Sequence, residues 1–177
     1  YEDISGWSVT DSTGSPFVIS EIGIETSPVR SPYFVSPASS APEAKNNHRM
    51  DVNHIVYLKL DRPVGTKNYL SILGPLNVDF KFLFNDKYSI TPSIQVNQVG
   101  YSPRATKRYA YVSNWLGTMG PMDISGFPTL ASVYKENGSR RPLVLENLSI
   151  TFRKGSTEYH AGTDVYEIDL SNLPVAE

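Results

Sequence analysis

Ile94-Gln95-Val96-Asn97-Gln98-Val99-Gly100-Tyr101 is the stretch on which the reading of this chain turns. Ile94 and Val96 share a face at the two-residue period of a strand, which predicts a strand from Ile94 to Val99. Gly100 supplies backbone freedom before Tyr101, and Ser102-Pro103 extends the turn. Just upstream, Thr91-Pro92-Ser93 has the composition of a short joint. Downstream, past the basic bend Arg104 to Arg108, Tyr109-Ala110-Tyr111-Val112 reads as a second strand.

The remainder of the second half keeps this rhythm. A loop with two glycines, Ser113 to Pro121, precedes an expected strand from Phe127 to Tyr134. Asn137-Gly138 is a two-residue turn signal. Leu143 to Leu145 and Ser149 to Phe152 are expected as separate short strands, and Val165 to Leu170 alternates with Tyr166, Ile168 and Leu170 together. In the first half, Trp7-Ser8-Val9 opens a strand, and Phe17 to Ile24 alternates only if a bulge sits near Ser20-Glu21. Prolines 28, 32, 37 and 42 exclude helix and central strand from the segment carrying Tyr33 and Phe34. His54 to Leu60 is the strongest strand of this half and is expected to pair with Asn68 to Ile72. Val78, Phe80, Phe82 and Phe84 lie on one face of a further strand.

No stretch keeps a 3.6-residue period, so the chain is expected to be all-β, with two consecutive sandwich-like units joined near Pro92. Its 177 residues suffice for two small domains. Eleven Tyr and seven Phe favour sheets. A net charge of −2 gives no reason to expect a polyanion, so no nucleic-acid partner is expected. No apolar run reaches the length of a membrane span. Zero cysteines exclude disulfides, thiolate catalysis and cysteine metal sites.

The run Ile94 to Pro103, with Lys107 and Tyr109-Ala110-Tyr111-Val112, resembles the opening of the immunoglobulin-like domain that precedes the catalytic domain in family 9 glycoside hydrolases, the endoglucanases and their relatives. The resemblance covers about half the chain, from Ser93 onward, and its most specific part is Asn-Gln-Val-Gly-Tyr. It implies an immunoglobulin-like β-sandwich over 93–177, an added β-rich accessory domain over 1–92, and a secreted, extracellular or periplasmic setting. It also implies a partner: the catalytic domain of the same longer polypeptide, in a cellulase-type enzyme of polysaccharide degradation. In the resembling domain, a strand like Val165 to Leu170 is followed by one or two more. The second unit is therefore expected to be truncated, its sheet completed by further chain. Catalytic residues of that family lie in a separate α/α barrel, and nothing here matches them.

His48 and His54 are six apart, which is not a same-face metal spacing on a strand, and His160 stands alone. No metal ligand or cofactor site is expected; a calcium ion between domains, held by scattered Asp carboxylates and backbone oxygens, stays open. No Gly-x-Ser-x-Gly elbow, Walker motif or dinucleotide fingerprint is present, and no carboxylate pair is singled out, so no catalytic residue is assigned. Lys107-Arg108 reads as a strand end or domain edge. Asn137-Gly138-Ser139 and Asn147-Leu148-Ser149 are glycosylation sequons that matter only on a glycosylating route.

Asn97, Gln98, Gly100 and Tyr101 are expected to be structural or interfacial, with the amides bonding turn backbone and the tyrosine hydroxyl partnered. Three functions compete. The first is a non-catalytic module that positions or stabilises a glycoside hydrolase domain. The second is a carbohydrate-binding module contacting polysaccharide through Trp7, Tyr33, Tyr101 and Trp115. The third is a cell-surface adhesion module. Fold alone cannot choose among them.

Overall fold

The computed structural model describes residues 2–29, 33–34, 48–138, 140–155 and 162–174, without the side chains of 33, 34, 48 and 49. These residues are all-β, built from antiparallel sheets, with two single-turn 3-10 segments at Ile4–Gly6 and Gly117–Met119. The chain divides into two compact units. One holds residues 1–88 and 116–119, the other 89–115 and 120–177. The division thus falls between Tyr88 and Ser89, where the sequence pattern puts a joint at Pro92, and Leu116–Met119 groups with the first unit.

The first unit contains β1 (Ser8–Thr10), β2 (Pro16–Phe17), β3 (Ile19–Pro28), β4 (Tyr33–Phe34), β5 (His48–Arg49), β6 (Val52–Leu60), β7 (Asn68–Gly74) and β8 (Val78–Phe84). Its four-stranded sheet runs β2-β1-β7-β8, while β3 pairs with β6 and β4 with β5. The bulge expected near Ser20-Glu21 is present, since Ile19 pairs with Leu60 but Glu21 with Lys59. The expected pairing of His54–Leu60 with Asn68–Ile72 is wrong. Those strands belong to different sheets, and 61–67 is a crossover. Asp61 explains the choice: its backbone N–H donates to Val18 O and its carboxylate accepts from Val18 N–H, both at 2.9 Å. This reciprocal pair ties the end of β6 to the start of β3. Val9, Phe17, Ile19 and Leu70 are the buried core, with Trp7, Ile22, Leu58, Leu60, Val64 and Ile72 packed around them.

The turn between β7 and β8 carries strain that sequence does not advertise. Leu76 and Asn77 both have positive φ, 57° and 63°, and Val78 N–H closes the turn on Pro75 O at 3.3 Å. Two successive left-handed residues are the signature of a type I′ turn, where Asn and Gly are preferred and a branched side chain is penalised. Leu76 is also 78% exposed, so it gains little packing there. Leu76→Asn is therefore expected to stabilise the first unit by about 1 kcal/mol. A melting temperature that stays level or falls would contradict this account of the turn.

The second unit contains β9 (Ile94–Gln95), β10 (Tyr109–Val112), β11 (Leu130–Tyr134), β12 (Leu143–Lys154) and β13 (Val165–Asp169), in one sheet of order β11-β12-β13-β10-β9. The two strands expected over 143–152 are one. β12 runs through Asn147, whose φ of 58° marks an irregularity, and switches from pairing with β11 to pairing with β13. Asn tolerates the left-handed region, so the strand bends there without ending. The strand expected to start at Phe127 starts at Leu130, past Pro128, which has no N–H to give a ladder. Ala110, Val112, Ile124, Ile168 and Leu170 form the buried core.

Candidate functional site

The strand at Ile94 is shorter than expected. Ladder pairing covers only Ile94 and Gln95, against Val112 and Tyr111, and Gln98-Val99 is turn rather than strand. Asn97 is the reason. Its carbonyl accepts the Gly100 N–H at 3.1 Å and its side-chain Oδ1 accepts the Val99 N–H at 3.0 Å. An Asn that bonds the backbone two residues on offers the chain a turn in place of a ladder. Gly100 follows at φ 92°, a conformation costly for any other residue.

Tyr101 closes the motif. It packs against the second core, and its hydroxyl donates to the carbonyl of Tyr109 while lying 3.5 Å from the donating N–H of Asn97. One phenol thus ties the turn to β10, the role Tyr takes when its ring is buried and its tip is polar. Gln98 lies exposed in the turn with no hydrogen bond to the described residues.

Arg108, expected with Lys107 at a strand end or domain edge, immediately precedes β10 and is also a clamp. It is only 6% exposed. Nη1 donates to Leu173 O at 2.7 Å and Nη2 to Pro103 O at 3.2 Å. Its backbone carbonyl accepts Leu170 N–H at 2.8 Å, so the residue holds both the turn before β10 and the segment after β13. Nε is buried without a partner among the described residues. No sequence signal separates such an arginine from an exposed one; its acceptors are backbone carbonyls, and one lies 65 residues away.

Between β9 with its turn and the start of β10 lies an open cleft of about 530 Å³. Gln95, Asn97, Tyr101, Lys107, Tyr109 and Tyr111 are among its walls. Tyr109 and Tyr111 alternate with the buried Ala110 and Val112 and so stand on the opposite face of β10. Across the ladder, Tyr111 sits beside Glu167, which pairs with Arg153, and the Arg153 guanidinium lies 5.6 Å from the Tyr111 ring centroid. Lys107 Nζ is 3.7 Å from the Asp169 carboxylate, with both groups exposed. Hydrogen bonds from the Ser171 hydroxyl and backbone N–H, aided by Lys107, hold the Asp169 carboxyl below its ordinary range.

The other residues read as sugar contacts are dispersed. Trp7 is half-buried against Gly74, lining an apolar groove of about 480 Å³ in the first unit with Val56, Leu58 and Phe80. Trp115 is 47% exposed in the second unit and bridges to Pro121. Tyr33 pairs with Arg49 through its backbone, and its side chain lies outside the described residues. His160 and the side chain of His48 also lie outside them, and His54 Nδ1 is 2.8 Å from Thr26 Oγ1. Among the described residues no three His, Asp or Glu converge to hold a metal ion.

The chain matches no known family model, no curated protein and no solved structure.

Proposed function

We propose that the chain is a non-catalytic accessory module of a secreted carbohydrate-active enzyme. In this reading its two units are immunoglobulin-like sandwiches, and the module positions or stabilises a glycoside hydrolase domain on the same polypeptide. The observation that carries it is the use of the Asn97–Tyr101 motif. Asn97, Gly100 and Tyr101 shape a turn and fasten it to β10, which is packing rather than chemistry. Around that turn the surface is unusually apolar. Ile90 is 99% and Val99 98% exposed, and Ile94 and Val96 are about half exposed. Single exposed aliphatics are ordinary, but four within ten residues support a docking face for a neighbouring domain.

The test uses the complete natural polypeptide. Ile90→Asp with Val99→Asp should leave the 1–177 fold unchanged yet lower the melting temperature of the catalytic domain. Deleting 1–177 should lower it further. A catalytic domain indifferent to both changes, or a reading frame that encodes none, would sink the proposal.

A further inference from the structure

We infer that the cleft beside β10 is a binding site for a carboxylate-bearing saccharide, a uronic acid oligomer. Its volume of about 530 Å³ is that of a small-ligand pocket. Tyr109 and Tyr111 project from alternate positions of one strand, roughly 7 Å apart, and offer half-buried aromatic surface to sugar rings. The Gln95 side-chain amide, on the cleft wall, supplies both a donor and an acceptor for hydroxyls.

Charge selects the acidic sugar over the neutral one. Among the described residues, Lys107 and Arg108 line the cleft and no carboxylate does. The Arg108 Nη atoms donate to two backbone carbonyls and Nε has no partner among the described residues, so no described side chain neutralises the guanidinium, and burial limits screening by water. Among the described residues Lys107 is held by one exposed contact to Asp169, which an incoming carboxylate can replace. The ligand carboxylate then sits at Lys107 Nζ, with the field of Arg108 behind it. An acidic peptide would satisfy the charge but leave the two tyrosine faces without sugar rings. Binding here requires only the second unit and is independent of any catalytic domain.

The 177-residue chain is titrated with trigalacturonate, cellotriose and triglutamate, followed by calorimetry and amide chemical shifts. Trigalacturonate should bind about tenfold more tightly than either of the others. The shifts should centre on Gln95, Tyr109 and Tyr111, and affinity should fall as salt rises. Lys107→Gln, a change at an exposed side chain, should weaken trigalacturonate about fivefold and leave cellotriose unchanged. Tyr111→Ala should abolish binding. If that variant unfolds, Gln95→Ala serves in its place and should weaken binding at least severalfold. No trigalacturonate binding, equal binding of cellotriose or triglutamate, or shifts confined to another surface each overturn the inference.

Discussion

Replacing Arg108 with alanine is expected to destabilise the second unit by about 3 kcal/mol. Two hydrogen bonds from a charged donor are lost, and the carbonyls of Pro103 and Leu173 are left without that donor. The estimate stays below the sum of two such bonds because removing a buried cation also relieves its desolvation. Arg108→Lys should recover less than half of the loss, since an ammonium lacks the planar fork that spans both carbonyls. Arg108→Met keeps the stem packing but no donor, and should fall between lysine and alanine. Hydrogen exchange at the amides of β10 and β13 reports this unit separately from the first. A loss below about 0.5 kcal/mol in the alanine variant would mean the clamp is idle.

The second large effect is expected where Leu116–Met119 meets β3 within the first unit. A Cβ on Gly23 would lie 2.1 Å from the carbonyl oxygen of Leu116, and one on Gly117 would lie 2.2 Å from that of Ile24. Both obstacles are backbone, which cannot swing aside as a side chain can. Gly117 also has φ 62°, where alanine is strained regardless of space. Gly23→Ala and Gly117→Ala should each cost about 3 kcal/mol by releasing this segment from β3. The double variant should cost little more than one of them, because both lose the same docking. Thr118→Ala, which removes only the 3.1 Å bond from Ile24 N–H to Thr118 Oγ1, should cost about 1 kcal/mol. Faster exchange of the Ile24 amide in all three single variants is the direct readout. Strictly additive losses would show that the two glycines do not share one contact.

These effects mark how far local pattern carries. β10 was legible to the residue, because Ala110 and Val112 alternate with Tyr109 and Tyr111 and one face is buried. β8 was equally plain from Val78, Phe80, Phe82 and Phe84. β9 was overextended, because the apolar alternation of Ile94 and Val96 outweighed the turn chemistry of Asn97. The residues now placed at the candidate site divide the same way. Tyr109 and Tyr111 could have been found from strand parity opposite a buried face. Arg108 could not, since its burial comes from the segment that follows β13.

By itself, the sequence determined that this chain is β-structured, where most of its strands lie, and that a turn at Gly100 follows the strand opening at Ile94. Those are properties of neighbours along the backbone: side-chain alternation, proline's missing donor and glycine's free φ. Only the tertiary structure decided that β6 joins β3 and not β7, that β12 continues through Asn147 to serve two neighbours, and that Leu116–Met119 groups with the first unit. Each depends on groups far apart in the chain, Asp61 with Val18 or Gly117 with Ile24, whose encounter carries no local signature. Strand partners are selected by which distant surfaces fit, and that fit exists only once the chain has folded.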